Sequence, residues 1–360
     1  MSAGVEGEIG PAASPLRRVV AGLSPAYFAM VMATGIVSIA AKLQGLTVVA
    51  DALFWLNLAF FATLWLLYAA RLWSAPDRFF ADLNDHNRGV GYFTSVAATC
   101  VLGNQFVLIR DAPRTASALW VMGAALWLVL LYTVFTCLTI KQKKPPLAQG
   151  LNGGWLLPVV ATQSVSVLGS LLAGRSAGYH EEIVFFSLVM WLGGGMLYIW
   201  IIALIFYRYT FFTLEPQDLT PPYWINMGAM AISTLAGAVL VGAAPHSALV
   251  REMLPFVKGF TLLFWATATF WIPMLLILGA WRHVAMRFPV RYDPAYWGAV
   301  FPLGMYTAAT HRLAGALETP FLLAIPRVAV YLALAAWLAT LVGLGHTLIK
   351  AVAGRRVPQT

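Results

Sequence analysis

The sequence predicts an all-α integral membrane protein of ten transmembrane helices paired into five helical hairpins. Three observations predict it. The 360 residues are 60% hydrophobic and only 10% charged, against about 25% charged in a soluble domain. Ten apolar runs reach the ~20 residues a helix needs to cross the hydrocarbon core. Every second run differs in character from the run that follows it.

The runs follow in order. The first, 24–43, contains "VMATGIVS", and the second, 50–72, the bulkier "FWLNLAFFATLWLLY". The third, 89–109, holds "VAATCVLG", and the fourth, 117–140, is again bulky. In the fifth, 152–173, "VVATQSVSVLG" follows Pro158, which is expected to bend the helix. The sixth, 183–208, carries "LYIWIIALIFYRY", and the seventh, 223–244, "MAISTLAG". The eighth spans 256–280, the ninth 295–314 with "GMYTAAT", and the tenth 325–349. Trp73, Trp155, Tyr223, Trp224, Trp281, Tyr296 and Trp297 stand near run ends, as interfacial anchors do.

The runs form one domain, 21–350, between polar tails at 1–20 and 351–360. Of the 23 Lys and Arg residues, fifteen fall on the side of the two termini and eight on the other. Basic loops stay inside, so both termini are expected in the cytoplasm, with the protein multi-pass in the plasma (inner) membrane. The net charge of +9 is distributed between apolar runs, which fits topology and not nucleic-acid binding. Cys100 and Cys137 lie inside runs and supply neither a disulfide framework nor a metal site. Asp82, Asp85 and His86 of "DLNDH" read as a solvated turn, because the six His residues are scattered and no metal motif appears. No cofactor, no metal and no enzymatic chemistry is expected.

The odd runs place hydroxyls at mid-membrane: Thr34, Thr99, Thr162, Ser233 or Thr234, and Thr307. Small and hydroxyl residues let membrane helices pack closely. The same residues on five inner helices would line a central path, and both readings fit the pattern. No Asp, Glu, Lys or Arg occupies these centres. A cation or proton relay normally needs one, whereas an anion can be held by hydroxyls and by the Gln163 and Asn226 amides.

The ninth run, "YWGAVFPLGMYTAATHR", has Pro302 in its middle, which removes a backbone donor and crowds the carbonyl of Gly298. Irregular backbone in a membrane is tolerated where it lines a cavity. Phe301, beside that proline, either packs against a neighbour or closes a narrow path. His311 and Arg312 form either an anion-attracting vestibule or an ordinary interface.

With these motifs in these runs, the chain resembles the tellurite-resistance and C4-dicarboxylate transporter family, related to plant slow anion channels, fungal malate permeases and fungal sulfite efflux pumps. The residues are "FAMVMATGIVSI" in the first run, "KGFTLLFWATATFWIPMLLILGAWRH" in the eighth and "YWGAVFPLGMYTAAT" in the ninth, within about 20–350. The resemblance implies a quasi-five-fold arrangement with odd helices inside, a homotrimer, and a pore-blocking phenylalanine that falls on Phe301. Its first-helix motif falls on Met32, Thr34 and Gly35. Relatives often carry His-Pro before the third span, where this chain reads "DLNDHNRGVGYF". The expected function is passage of an inorganic or organic anion through a Phe301-gated pore in the bilayer. The alternative is a proton-coupled C4-dicarboxylate or sulfite carrier that uses boundary residues such as His311, His246 or His180. Phe264 and Phe270 are runner-up plugs, set back by their even-numbered helix.

Overall fold

A computed structural model describes residues 20–175 and 178–352. The tails at 1–19 and 353–360, with Arg17, Arg18, Arg355 and Arg356 of the charge count, lie outside the described residues. The chain is all-helical there. Ten long helices run in order: α1 (Ala29–Leu43), α2 (Thr47–Ser74), α3 (Phe93–Leu108), α4 (Pro113–Ile140), α5 (Leu157–Leu172), α6 (His180–Phe211), α7 (Ile225–Ala243), α8 (Leu254–Ala280), α9 (Trp297–Ala316) and α10 (Ala324–Val352). Eight helical segments are long and apolar enough to cross a membrane by length and composition. Those containing α3 and α9 are not among them. These two helices carry Asn104 and Gln105, and His311 and Arg312, and most of their residues are buried.

Consecutive helices pair as α1/α2, α3/α4, α5/α6, α7/α8 and α9/α10. The odd helices also pack on one another in a closed cycle, α1 on α3, α3 on α5, α5 on α7, α7 on α9, and α9 back on α1. They form an inner layer, almost wholly buried, and the even helices an outer one that exposes large apolar side chains such as Trp55, Leu128, Trp200 and Phe270. Each inner helix is preceded by a short 3-10 turn: Pro25–Phe28, Gly89–Tyr92, Gly153–Leu156, Pro221–Trp224 and Pro294–Tyr296. Such a turn bonds i to i+3 and tightens the entry to a helix.

The prolines behave differently from one another. Pro302 lies inside α9, as expected. Pro158 is the second residue of α5, where its missing N–H has no intrahelical acceptor to lose, so the bend expected mid-helix does not arise.

The outer layer is tied to the inner by a repeated bond. The outer helix of each hairpin donates an N–H to the inner helix of the next. Asn57 of α2 reaches Gln105 of α3 at 2.7 Å, and Trp127 of α4 reaches the Thr162 hydroxyl of α5 at 2.8 Å. Trp191 of α6 reaches the Ser233 carbonyl of α7 at 2.9 Å, and Trp265 of α8 reaches Thr310 of α9 at 3.0 Å. Trp337 of α10 closes the cycle on Thr34 of α1 at 3.0 Å. With no hydrophobic drive between helices in lipid, such bonds and close packing hold the layers together.

Candidate functional site

The hydroxyl centres are all buried, but they do not share one open surface. Thr99, Thr162, Ser233, Thr234 and Thr307 each donate to the carbonyl four residues back, at 2.8–2.9 Å. Thr34 and Thr162 accept from tryptophans of the outer layer, which turns them away from the centre of the inner cycle. Gln163 likewise donates to the Trp191 carbonyl of α6 at 3.0 Å, and Asn226 to the Tyr209 hydroxyl at 3.2 Å. Gly35 is a packing position: a Cβ there would stand 2.5 Å from Val101 and 2.7 Å from Asn57.

The centre itself holds a cavity of about 10 Å³ to which all five inner helices contribute. Ile39 of α1, Asn104 of α3, Val167 of α5, Val239 of α7 and Arg312 of α9 line it. Each stands five residues after a hydroxyl centre, namely Thr34, Thr99, Thr162, Thr234 and Thr307. Five residues are about 140° of helical turn. The hydroxyl register and the central register are therefore different faces of the same helices. The central residues were legible only through that offset, because most are ordinary aliphatics.

Arg312 is the one charged side chain in this cavity. No ion pair reaches it among the described residues. The Asn104 carbonyl oxygen is buried without a partner. His311, one residue away, faces elsewhere and bonds Gln44 at the end of α1 at 3.0 Å. The two halves of the expected vestibule are thus separated.

Phe301 precedes Arg312 by eleven residues, which puts it within about 20° of the same face and ~16 Å further along α9. It is 1% exposed, and no ring–ring contact holds it among the described residues. Met32 precedes Ile39 by seven residues and shares its face of α1, also buried. Pro302 points to the side: a Cβ on Gly228 of α7 would lie 2.6 Å from its ring. Gly304 meets α1 on the other flank, with Ile36 and Val37 at 3.0 Å from a built Cβ. Phe264 instead packs at 5.5 Å against Trp191, and Phe270 is 71% exposed on the outer layer.

Three further sets of residues differ from expectation or were missed. Asp82 is not solvated. It is buried between Arg71, at 2.6 Å, and Arg88, also at 2.6 Å. Arg71, near the end of α2, also reaches the Ala21 carbonyl and the Tyr92 hydroxyl. Arg208, near the end of α6, repeats this with the Ala148 carbonyl, Asp218 and the Tyr223 hydroxyl. His180 and His246, taken from sequence as separate boundary residues, stack with centroids 5.6 Å apart.

Comparison with known proteins agrees with this architecture. Residues 22–344 match the SLAC1 voltage-dependent anion channel family model. An uncharacterised membrane protein of Mycobacterium tuberculosis is 40% identical over 157 residues, 43% of this chain and 79% of that protein. An uncharacterised transporter of Methanocaldococcus jannaschii is 27% identical over 292 residues, 79% of this chain and 83% of the relative. A sulfite efflux pump of Arthroderma benhamiae is 24% identical over 327 residues, 84% of each chain. The family is one of channels and the last two relatives are a transporter and an efflux pump, not enzymes, and by the match along nearly its whole length this multi-pass chain belongs to the SLAC1 voltage-dependent anion channel family.

Proposed function

We propose that the protein passes anions along the axis enclosed by α1, α3, α5, α7 and α9, and that Phe301 closes the path. In this reading all ten helices span the membrane, as five hairpins in quasi-five-fold order, with both termini in the cytoplasm. One observation carries it: the central cavity draws on all five inner helices, and its one charged side chain, Arg312, shares a face of α9 with Phe301. An unpaired guanidinium attracts an anion, while the aliphatic walls offer it no tight cage. Conduction requires that combination of entry and exit. A cavity of about 10 Å³ holds at most one water, so it is too narrow for a hydrated ion, and Phe301, ~16 Å further along α9, is proposed as a second, separate constriction. Phe301 is the side chain proposed to move, since no aromatic neighbour fixes it. Met32 lies on the path surface. Thr34, Thr99, Thr162, Ser233, Thr234 and Thr307, with Gly35 and Gln163, frame the path and set the spacing of its helices. Pro302, locked against Gly228, holds α9 at the distance that lets Phe301 reach the axis.

Sulfite is a candidate substrate because a relative matched over 84% of its length is named a sulfite efflux pump. The homotrimer implied by the resemblance would cover part of the apolar outer layer. Flux from proteoliposomes across chloride, nitrate, sulfite and malate, at two pH values, tests the function. Phe301→Ala should raise anion flux several-fold or more. Unchanged flux in a folded variant removes the gate. Currents that fail to reverse at the anion equilibrium potential would replace the channel with a carrier.

A further inference from the structure

A second cavity, of about 200 Å³, lies away from the axis, between the end of α8 and the starts of α7 and α9. Leu219 and Leu275 give it apolar walls, and Tyr223, Tyr296, Arg282 and His283 give it a polar side. No acidic residue lines it. Arg282 sits in a five-residue π-helical turn, Trp281–Ala285, that ends α8. Such turns break the regular bonding of a helix and recur at functional sites.

Arg71 and Arg208 stand in the last turn of their outer helices and Arg282 just past the end of its own, and its surroundings are the reverse of theirs. Arg71 and Arg208 are saturated by a carboxylate, a carbonyl and a tyrosine hydroxyl each. The Nε of Arg282 is buried with no hydrogen-bond partner. No ion pair reaches it among the described residues, and the contact that holds it is the Phe288 ring, 4.4 Å from the guanidinium carbon. A buried donor left unpaired is costly, and a ligand with acceptor oxygens would satisfy it.

We propose that this cavity binds the phosphate group of an anionic phospholipid. The phosphate oxygens would accept from Arg282, whose planar fork matches them two at a time, with His283 beside it. The glycerol and first acyl carbons would lie along Leu219 and Leu275. A free phosphate would satisfy the arginine equally but would leave the apolar walls uncovered. Basic pockets between transmembrane helices are suited to acidic head groups. The site touches α9, the helix that carries Phe301, but it stands whether or not the axis conducts.

The test uses the purified full-length chain in detergent, with native mass spectrometry and thermal unfolding as readouts. Phosphatidylglycerol should be retained in preference to phosphatidylcholine of the same acyl chains, whose phosphate is the same but whose quaternary ammonium would lie beside Arg282 with no acidic lining residue to receive it, and should raise the unfolding temperature. Arg282→Gln should weaken that retention about tenfold, the scale of one charge-assisted pair. Arg287→Gln, exposed in the following loop, should leave it unchanged. Gly279→Leu offers a second route with Arg282 intact. A Cβ at Gly279 meets nothing within 4 Å, and Gly279 lines the cavity, so the larger side chain fills it and should abolish retention. Equal retention of the two lipids, or equal loss in Arg287→Gln, overturns the site. Displacement by inorganic phosphate as effective as by lipid assigns the arginine to a soluble anion and overturns the lipid.

Discussion

The inner and outer layers are both apolar, yet in the apolar stretch of the segment holding α5, Gly153–Arg175, 94% of the residues are buried, whereas in that of its neighbour α4 only 17% are. Hydrophobicity does not separate them, because lipid is as apolar as a protein core. Side-chain size does. A Cβ added to Gly169 in α5 would lie 2.4 Å from the Ser187 hydroxyl, and one added to Gly103 in α3 would lie 2.4 Å from Leu168. At Gly193 of α6 and Gly259 of α8 nothing stands within 4 Å, whereas Gly194 of α6, on the face turned to the inner layer, would put a Cβ 2.5 Å from Gln163, so the contrast is between the inward and the lipid-side faces. The lesson is that a face turned to the bundle is marked by what it lacks, and an outer face by what it can carry into lipid.

The largest expected effect breaks the tie between the layers at their ends. Arg71→Leu leaves Asp82 buried with Arg88 alone and the Ala21 carbonyl without the guanidinium, while the Tyr92 hydroxyl keeps its bond to the Phe79 carbonyl at 2.9 Å. Removing one member of a buried pair costs about 3–5 kcal/mol when the other charge is left uncompensated; with Arg88 still on Asp82 at 2.6 Å the loss should lie near the lower end, about 3 kcal/mol, read as lost stability in detergent unfolding. Arg175→Leu is the control, since its Asp111 partner is 85% exposed, and it should cost no more than about 1 kcal/mol. Next come the glycines, where the comparison predicts opposite signs. Gly169→Ala must displace Ser187 and the Trp120 ring and should destabilise by about 1–3 kcal/mol. Gly193→Ala should stabilise by up to about 1 kcal/mol through helix propensity.

The layer assignment was legible because small residues recur every second helix from "VMATGIVS" to "GMYTAAT". Which face of those helices meets the centre was not. Thr34 and Trp337 are 303 residues apart, and no local pattern announces that one accepts from the other. A threonine on a helix also has a ready partner in its own i−4 carbonyl, so its hydroxyl need not face an open path. Asp82 read as part of a solvated turn because its burial depends on Arg71, which is itself held by Ala21 and Tyr92 from two other parts of the chain. Phe301 was reached through its proline and the family motif, and its eleven-residue spacing from Arg312 could already be counted in the sequence.

Function sharpens the same contrast. Phe301→Ala on the inner layer should raise anion flux about tenfold, equivalent to about 1.4 kcal/mol of barrier. Phe270→Ala, on the exposed outer face, should leave flux where it was. Equal increases in both would point to a loosened bundle and not a removed plug.

The smallest effect concerns the bonds that repeat around the cycle. Trp337→Phe keeps a ring of similar shape but removes the N–H given to Thr34. One such hydrogen bond contributes about 1 kcal/mol, and the loss should appear as a modest fall in unfolding temperature. Thr34→Val removes the acceptor in its place, and the double variant separates the pair from its surroundings. If Thr34 belongs to the frame, the two losses should be non-additive and anion selectivity should stay unchanged. If Thr34→Val alters selectivity while Trp337→Phe does not, the hydroxyl meets the permeating ion, and the central face of α1 must be redrawn through Thr34 in place of Met32 and Ile39.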